Sequence, residues 1–563
     1  MRIALARLDS TVGDIAGNAR AIADSAAALA AGGADLVVLP ELALCGYPPR
    51  DLLQRDGFVQ ACEDTAERLA RDLAGRGAGG VAVLVGLPMR AGAGEGAPCA
   101  NAVALLRGGR VEGRYLKRLL PDYDVFDEPR HFAPGRSAFT FDCQGVRVGV
   151  LVCEDLWRAE DAAAGGHAYG GCDPASETVA AGARVLVCPS ASPFAAGKHA
   201  RHGEILAAAA RRVGVPVCSI NASGANDDLV FDGAARIALP DGGALDGGRW
   251  GEAALQWTMG APAGATAAGG PDDPSVERWH AMVAGIRGYF RKTGHSRAVL
   301  GLSGGIDSAL VGALAAAALG GGNVTGLLMP SRHSSEGSLV DARELCARTG
   351  IRGIELPVAP AHDALAAHLA PKLAAAGASL AGLADENLQS RLRGLQVMAW
   401  SNATGALALT TGNKSEYAVG YATLYGDMCG ALAPIGDLLK TDVWAVSRWV
   451  NASHRACGFG HPPIPVSSIE KVPSAELRPD QTDQDTLPPY ADLDAVVRGW
   501  VEEERGIDEI AHGAGLDRAL VARWARAIDL AEFKRRQAPV ILRLSPRAFG
   551  PGRRMPVVAR DAR

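Results

Sequence analysis

Three side chains in the first half of the chain have the types that amide hydrolysis by a thiol requires. Cys153 ends the apolar run VRVGVLVC, Glu41 ends ADLVVLPE, and Lys117 follows the strand-like segment RVEGRYL. A thiol nucleophile needs a base to take its proton and a positive group to stabilise the tetrahedral oxyanion. Taken singly, each residue has an ordinary structural explanation, because most cysteines are buried packing and most lone glutamates and lysines are solvated. Their shared position after apolar runs predicts three strand ends of one sheet.

A second group of residues, SGGIDS at 303–308, has the composition of a phosphate-binding turn. It lies between the apolar run AVLGL and an alanine-rich helical segment. Glycines let the backbone approach phosphate oxygens, and a helix N-terminus offers free N–H groups and a positive dipole. The turn matches neither GxxxxGK[ST] nor GxGxxG, which disfavours a P-loop ATPase and a dinucleotide oxidoreductase. We therefore expect an anion to bind at this turn.

The elements that must position these residues alternate between strand and helix. Short apolar runs and alanine-rich helical patterns recur before residue 262, which predicts an α/β fold. After residue 275 the same alternation predicts a doubly wound, mostly parallel sheet that binds ligands beyond the carboxyl ends of its strands. The aperiodic segment GAPAGATAAGGPDDPS divides the two halves. We predict domains at 1–262 and 275–563, joined by a linker at 263–274. A polar, proline-rich stretch at 461–490 predicts a functional lid or a disordered loop.

Composition excludes several other classes of protein. The 563 residues carry 57 Lys+Arg against 62 Asp+Glu, a net charge of −5, which argues against a nucleic-acid partner. Eleven cysteines without a CxxC pair argue against a disulfide scaffold and a structural zinc site. The most apolar stretch has 14 residues, whereas a bilayer requires about 20. The N-terminus MRIALARLDS lacks a signal-peptide core. We expect a cytoplasmic homo-oligomer that does not bind membranes.

The segments around the first three residues resemble the nitrilase, or carbon–nitrogen hydrolase, superfamily. These segments are LPELALCGYPPRDLL, YLKRLLPDYDVFDEPRHF and LVCEDLW, and the resemblance covers residues 1 to about 262. It implies a four-layer α-β-β-α sandwich. It also implies that Cys153 is the nucleophile, Glu41 the general base and Lys117 the oxyanion-stabilising cation, with Glu128 as a second, positioning glutamate. This half is thus expected to hydrolyse a carbon–nitrogen bond.

Two further segments narrow the expected substrate to glutamine. KRLLPDYDVFDE and SASPFAAGKHARH are similar to segments that contact the substrate in glutamine-hydrolysing members. The resemblance implies that Tyr123, Ser192 and Lys198 bind glutamine. The alternative is that these residues belong to ordinary polar loops.

SGGIDS resembles the phosphate loop (PP-loop) of ATP pyrophosphatases, which split ATP between its α- and β-phosphates. ENLQSRLRG and ALALTTGNKSEYAVGYATLYGDMCGALAPIGDLLKTDVW further resemble the NAD⁺ synthetases, over about residues 275–545. The resemblance implies that Asn387 and Lys534 bind deamido-NAD⁺, that Glu416 binds Mg²⁺ or this dinucleotide, and that Asp307 helps to bind Mg²⁺. Leu424 departs from the pattern, since ammonia-only members usually carry lysine there. The implied ATP-binding residues are Gly301, Leu302, Ser303, Gly304, Gly305, Ile306, Asp307, Ser308 and Thr411.

A glutaminase and an adenylating domain on one chain fit one reaction. Glutamine would supply ammonia, ATP would adenylate the nicotinate carboxylate of deamido-NAD⁺, and ammonia would displace AMP to give NAD⁺. The expected small molecules are therefore L-glutamine, ATP as a substrate, deamido-NAD⁺ and Mg²⁺. One alternative is another PP-loop glutamine amidotransferase, such as one that makes asparagine or GMP. The other is a binding module without activity, in which Cys153, Lys117 and Asp307 would be dispensable.

Overall fold

The structure, a computed structural model, describes residues 1–91, 97, 99–157, 171–251, 253–262 and 273–559. The chain folds as two compact units, Met1–Asp272 and Asp273–Arg563. Residues 263–272 of the predicted linker lie outside the described residues. Asp273 caps the first helix of the second unit, which begins at Pro274.

The first unit contains two six-stranded sheets and a hairpin. Its helices are α1 (Ile15–Ala31), α2 (Phe58–Gly75), α3 (Pro174–Ala180) and α4 (Lys198–Val213). Its strands are β1 (Arg2–Leu5), β2 (Leu36–Val38), β3 (Ala82–Arg90), β4 (Cys99–Arg107), β5 (Arg110–Leu116), β6 (Phe139–Cys143), β7 (Val146–Val150), β8 (Val185–Ser190), β9 (Val217–Asn221), β10 (Ser223–Asn226), β11 (Leu229–Asp232), β12 (Ala235–Ala238), β13 (Ala244–Asp246) and β14 (Leu255–Thr258). The sheet orders are β14-β1-β2-β3-β4-β5 and β13-β12-β9-β8-β7-β6, and β10 pairs with β11.

These elements form the predicted four-layer α-β-β-α sandwich. In β1, Ile3 and Leu5 belong to the apolar core that the two sheets share, whereas Ala4 faces the core formed with α1 and α2. On the second sheet, α3 and α4 cover the outer face. Because the central strands are buried on both faces, their sequences are continuous apolar runs rather than alternating ones. The prediction of the fold is confirmed for this unit.

The second unit is built on one parallel sheet with the order β17-β16-β15-β18-β19-β20. Its strands are β15 (Ala298–Gly301), β16 (Val324–Leu328), β17 (Arg352–Glu355), β18 (Leu407–Leu409), β19 (Leu432–Ala433) and β20 (Val540–Ile541). Its helices are α5 (Pro274–Lys292), α6 (Ile306–Leu319), α7 (Glu336–Thr349), α8 (Ala359–Ala375), α9 (Leu383–Thr404), α10 (Lys414–Val419), α11 (Lys440–Ala452), α12 (Val466–Glu470), α13 (Tyr490–Val497), α14 (Ile507–Ala514), α15 (Arg518–Leu530) and α16 (Glu532–Arg535).

The strand order of this sheet reverses at β15. The chain leaves β15 for β16 and β17 on one side and later places β18 on the other side. A ligand crevice opens at such a switch point, beyond the carboxyl ends of the strands. The SGGIDS turn follows β15 directly and therefore lies at this crevice. Among the helices of the described residues, none has both the length and the apolarity to cross a bilayer.

Candidate active sites

In the first unit, one lysine joins the two predicted glutamates. Lys117 Nζ lies 2.8 Å from Glu41 Oε1 and 2.8 Å from Glu128 Oε1. The exposed fractions are 1% for Lys117, 2% for Glu41 and 4% for Glu128, so the three charges form a buried cluster. Lys117 directly follows β5 and Glu41 follows β2 in the same sheet. Strand ends thus bring together residues that are 76 positions apart in the sequence.

Two groups that the sequence analysis missed hold the Glu41 carboxylate. Asn101 Nδ2 donates to Oε1 over 2.7 Å, and the Ala191 N–H donates to Oε2 over 2.8 Å. Each oxygen of the proposed base therefore has a fixed donor, which restricts its rotation. A signal for Asn101 existed, because it is a polar side chain within the fully buried part of β4. No sequence signal identifies a backbone N–H such as that of Ala191.

Cys153 begins a short 3₁₀ turn, Cys153–Leu156, that follows β7. Strand β7 belongs to the other six-stranded sheet of this unit, so the prediction that all three residues end strands of one sheet is wrong for Cys153. Its φ of +46° lies in the left-handed region, which costs a non-glycine residue about 1–2 kcal/mol and persists where surrounding contacts impose it. Burial raises the pKa of its thiol well above the ordinary value; Glu41 raises it further, whereas Lys117 lowers it. The resting thiol is therefore protonated near neutral pH and needs a base to become a nucleophile.

The charges of the cluster follow from its burial. Burial alone would lower the pKa of Lys117, but the Glu128 and Glu41 carboxylates raise it well above its ordinary value. Lys117 thus remains an ammonium group. Burial raises the pKa of Glu128 to about 7, against the opposing effect of Lys117, and Tyr47 Oη donates to Glu128 Oε1 over 3.1 Å. The cluster provides a fixed positive charge beside a thiol and a carboxylate, as thiol-dependent amide hydrolysis requires.

Asp155 connects the nucleophile turn to the segment that follows Lys117. Its buried carboxylate accepts four hydrogen bonds, from the N–H groups of Val152 (3.0 Å), Arg118 (3.1 Å) and Leu119 (2.9 Å) and from Tyr115 Oη (2.8 Å). Val152 immediately precedes Cys153, and Arg118 immediately follows Lys117. Asp155 therefore fixes the backbone at two functional side chains. The sequence analysis did not single it out.

Two of the three predicted glutamine-binding residues are next to groups of this site, and the third contacts the segment that follows Ser192. Tyr123 Oη donates to Glu154 Oε1 over 2.9 Å, and Glu154 is the residue after Cys153. Ser192 follows Ala191, whose N–H contacts Glu41, and Lys198 Nζ donates to the Pro193 carbonyl over 2.9 Å. Their contact with glutamine remains a prediction.

The second unit contains a cavity of about 720 Å³ at the carboxyl end of its sheet. Predicted ATP-, metal- and dinucleotide-binding residues line it together: Gly301, Leu302, Ser303, Gly305, Ile306, Asp307, Ser308, Asn387, Thr411, Glu416 and Lys534. Gly304, the remaining residue of the turn, does not line the cavity. Its carbonyl accepts a hydrogen bond from Ser468 Oγ over 2.9 Å. The structure thus gathers these residues around a single space.

The phosphate turn is shaped by its own hydroxyl groups. Ser308 Oγ lies 3.2 Å from the Ser303 N–H and 3.0 Å from the Gly305 carbonyl. Gly304 has a φ of +80°, and a Cβ atom there would lie 2.1 Å from the Ser338 carbonyl oxygen. Only glycine fits at this position. The turn leads into α6, whose first N–H groups lie at the carboxyl end of β15, where an anion would be stabilised.

Lys440 lies between the predicted metal-binding carboxylates and was missed from the sequence. Its Nζ is 2.5 Å from Asp307 Oδ2 and 3.6 Å from Glu416 Oε1, and Asn413 Nδ2 donates to Asp307 Oδ1 over 2.9 Å. Burial raises the pKa of Glu416 to about 8, and Asp307 adds to this, whereas Lys440 opposes it. Mg²⁺ is commonly held by one or two carboxylates together with substrate phosphates. The donor set therefore fits Mg²⁺.

The predicted dinucleotide-binding residues line another part of the cavity. Thr423 Oγ1 donates to Asn387 Oδ1 over 2.8 Å, and Lys534 Nζ donates to the Gly420 and Ala422 carbonyls over 2.7 and 2.8 Å. Leu424, which departs from the family pattern, is partly buried against apolar residues of the second unit. The Lys534 ammonium is thus fixed to the loop that contains this position.

The proline-rich stretch at 461–490 is ordered, so the alternative of a disordered loop is wrong. It contains α12, and several of its residues between Ser468 and Thr486 line the cavity. Glu476 accepts hydrogen bonds from Ser335 Oγ (2.9 Å) and Ser338 Oγ (2.8 Å), and Lys471 forms an ion pair with Asp341. These contacts tie the stretch to α7 beside the phosphate turn.

Comparisons with known proteins match both units of the chain. A carbon–nitrogen hydrolase family model matches residues 2–258, and an NAD synthase family model matches residues 278–538. The chain is 42% identical to the glutamine-dependent NAD(+) synthetase of Xanthomonas campestris, over 99% of this chain and 97% of that protein. The Synechocystis relative of the same name is also 42% identical, over 99% and 98%. A solved Acinetobacter baumannii glutamine-dependent NAD⁺ synthetase in complex with ADP is similar over 99% of this chain and 98% of its own, with 30% identity and a TM-score of 0.75.

Proposed function

The chain belongs to the glutamine-dependent NAD(+) synthetase family, and on that premise we propose that its two sites carry out successive parts of one amidation. The first unit releases ammonia from glutamine. The second unit uses ATP to convert the nicotinate carboxylate of deamido-NAD⁺ to the amide of NAD⁺. The observation that supports this most directly is the presence, in one chain, of a buried thiol beside the Glu41–Lys117 pair and of a phosphate turn beside a carboxylate pair.

In the glutaminase reaction, Glu41 takes the proton of the Cys153 thiol and the thiolate attacks the amide carbon of glutamine. Lys117 stabilises the resulting oxyanion, and Glu128 holds Lys117 in place through their 2.8 Å contact. Collapse of the tetrahedral intermediate, with return of the proton from Glu41 to nitrogen, gives a thioester and ammonia. Water, deprotonated by Glu41, then hydrolyses the thioester to glutamate and restores the thiol. Tyr123, Ser192 and Lys198 contact the glutamine.

In the synthetase reaction, a carboxylate oxygen of deamido-NAD⁺ attacks the α-phosphorus of ATP and pyrophosphate leaves. Ammonia then attacks the acyl carbon, and AMP leaves with the electrons of the acyl–oxygen bond. The turn at 303–308 and Thr411 bind ATP, while Asn387 and Lys534 bind the dinucleotide. Asp307 and Glu416 would hold Mg²⁺, which neutralises phosphate charge when bound.

Two variants separate the proposed steps. In the full-length enzyme supplied with ATP, deamido-NAD⁺ and Mg²⁺, Cys153→Ala removes glutamine-driven NAD⁺ formation and retains ammonia-driven formation. Asp307→Ala removes NAD⁺ and AMP formation with either nitrogen donor and retains release of glutamate. Cys143→Ala, which removes another thiol of the first unit, serves as the control for Cys153→Ala. Equal loss of both activities in a folded Cys153→Ala variant contradicts the division of labour, as does unchanged AMP formation by Asp307→Ala.

No observation favours another PP-loop amidotransferase, because the relatives named above span the whole chain. We also propose that the enzyme is a cytoplasmic homo-oligomer that acts on small molecules and binds neither nucleic acid nor membranes. Light scattering coupled to size-exclusion chromatography measures the oligomeric state directly, and a monomeric mass at working concentration contradicts that part of the proposal.

A further inference from the structure

Arg393 lies on the face of α9 that lines the cavity of the second unit. Glu386, Ser390, Arg393 and Val397 all line this space, and their spacing of four, three and four residues defines one helical face. Arg393 Nε donates to the Met329 carbonyl over 3.1 Å, just beyond β16. Since β16 pairs with β15, the strand that leads into the phosphate turn, this guanidinium is anchored one strand away from that turn.

The other cations that line this cavity have partners within the protein. Lys440 pairs with Asp307 (2.5 Å), Lys471 with Asp341 (3.1 Å) and Arg478 with Asp485 (2.6 Å), and Lys534 donates to two carbonyls. Within the described part of the chain, Arg393 forms no ion pair, and its one hydrogen bond to protein is that from Nε. Burial lowers the pKa of Arg393, and the Glu476 carboxylate opposes this without an ion pair between the two residues. Its remaining N–H donors border the cavity without a carboxylate partner.

Arg393 is partly buried and forms no ion pair within the described residues, so its desolvation is offset by little that stabilises the fold. Guanidinium remains charged at neutral pH, and its planar pair of donors matches the oxygens of a phosphate. Because Arg393 Nε already donates to the Met329 carbonyl, its two terminal nitrogens, Nη1 and Nη2, remain for such a bidentate contact. Arg393 is also six residues, or about 9 Å of helix, from Asn387, and therefore lies at a different part of the cavity.

We propose that Arg393 binds a phosphate group of one of the two nucleotide substrates and supplies a positive charge that the phosphate turn itself lacks. The proposal rests on the proposed function, because that function identifies the nucleotides as ATP and deamido-NAD⁺. Both carry phosphates, and the experiment below distinguishes them. The turn donates backbone N–H groups and hydroxyls, and Lys440 beside it is already paired with Asp307. Arg393 is a cation of the same cavity whose terminal donors have no protein partner within the described residues.

The test measures binding and stability in the full-length enzyme with Arg393→Met and Arg393→Lys. Calorimetric titrations use a non-hydrolysable ATP analogue and, separately, deamido-NAD⁺, each with Mg²⁺. We expect Arg393→Met to weaken one nucleotide by about tenfold to a hundredfold, the range for a charge-assisted contact, and Arg393→Lys to weaken it less. Thermal unfolding of the ligand-free Arg393→Met variant should occur at the same or a higher temperature than in the wild type. Arg343→Met, which removes an exposed arginine paired with Glu355, is the matched control.

The titrations also identify the nucleotide. Weaker binding of the ATP analogue alone assigns the phosphate to ATP, and weaker binding of deamido-NAD⁺ alone assigns it to the dinucleotide. If folded Arg393→Met and Arg393→Lys bind both ligands as the wild type does, or if the only effect is a lower unfolding temperature, Arg393 is structural and the proposal is overturned. These titrations need no turnover. A wild-type enzyme that binds nucleotides but forms no NAD⁺ therefore contradicts the proposed function and not this inference.

Discussion

Glu41 and Lys117 act on the Cys153 thiol with opposite signs, since the carboxylate raises the pKa of the thiol and the ammonium lowers it. The same two groups are bonded to each other over 2.8 Å. The base is thus placed to take the proton, while the cation that remains stabilises both the thiolate and the later oxyanion. Removing either charge should change reactivity and catalysis in different ways.

We predict that Glu41→Gln lowers glutamine hydrolysis by about a hundredfold or more, the usual effect of losing a general base. It should nevertheless accelerate alkylation of Cys153 by iodoacetamide at pH 7.5, because loss of the carboxylate lowers the pKa of the thiol. Lys117→Met should slow alkylation. The rates are measured by mass spectrometry of the Cys153 peptide, with the Cys172 peptide of the same sample as the control. Slower alkylation in Glu41→Gln would refute the assigned electrostatic effect.

The raised pKa of Asp155 predicts how its ionisation and its contribution to stability change with pH. Burial raises the pKa of this carboxyl from 3.8 to about 6, so it is ionised at neutral pH and protonated below about pH 6. Protonation weakens an acceptor that holds the Cys153 turn. Because the folded protein binds this proton more tightly than the unfolded chain, the contribution of Asp155 to stability is present at low pH. It is lost as the pH rises from about 4 to about 6, by up to about 3 kcal/mol.

Asp155→Asn should therefore lower the glutaminase rate at pH 7 and remove the decline that the wild type shows as the pH falls through 6. Relative to this variant, the wild type should lose free energy of unfolding between pH 4 and pH 6. Activity profiles and urea unfolding at several pH values measure the two effects. Ammonia-driven NAD⁺ formation by the variant is the control for folding. If the activity profile of Asp155→Asn still has an inflection near pH 6, another group causes that titration and its assignment to Asp155 is wrong.

At the level of elements, two helices, α12 and α7, contact the phosphate turn and fix its shape. Ser468, in α12, donates to the Gly304 carbonyl, and the Ser338 carbonyl in α7 occupies the space where a Cβ of residue 304 would lie. The proline-rich stretch therefore has two roles. It lines the cavity, and through Ser468 its helix α12 also binds the backbone of the phosphate turn. Strand β15 sets the position of the turn, and these helices set its shape.

We predict that Gly304→Ala reduces AMP formation by more than about tenfold and raises the KM for ATP, while glutamate release from glutamine is retained. The left-handed φ of +80° and the 2.1 Å approach to Ser338 force the backbone to move. Gly322→Ala is the matched control, because a Cβ there meets nothing within 4 Å and the residue has no positive φ. Wild-type ATP kinetics in Gly304→Ala would show that the turn tolerates the shift.

For the whole molecule, the chemistry of ammonia connects the two reactions. Only neutral ammonia has the lone pair that attacks the acyl adenylate. With ammonium chloride as the donor, we expect the KM for total ammonia to fall about tenfold per pH unit between pH 7 and pH 8.5, as the neutral fraction grows. Cys153→Ala makes this measurement free of glutaminase turnover.

Glutamine-driven synthesis should show a flatter pH profile, because Cys153 releases ammonia that need not equilibrate with ammonium in bulk solvent. The wild-type enzyme is assayed with glutamine over the same pH range, with and without an external ammonia scavenger. An equally steep profile, or inhibition by the scavenger, means that ammonia passes through bulk solvent.

The sequence by itself determined the features that depend on local order. Continuous apolar runs predicted buried strands, and polar residues directly after them, such as Glu41, Lys117 and Cys153, predicted strand-end sites. The SGGIDS turn predicted a phosphate site because two glycines and a helix start are adjacent along the chain. The alternation of apolar runs and helical segments predicted the parallel sheet, whereas longer segments carried the family resemblance, and with it the α-β-β-α sandwich. Each of these predictions depends on residues that lie within a few tens of positions of one another in the sequence.

Only the tertiary structure decided which distant groups meet. The N–H that orients Glu41 comes from a residue 150 positions away, and Lys440 reaches Asp307 across 133 positions. From the sequence, Arg393 is an ordinary helical arginine. Only the structure shows its position on the cavity face of α9, its bond to Met329 and the absence of an ion pair with any described residue. The physical reason is that burial and charge compensation are properties of a packed environment. A motif specifies which groups are available, whereas packing specifies which of them remain unpaired and face a ligand.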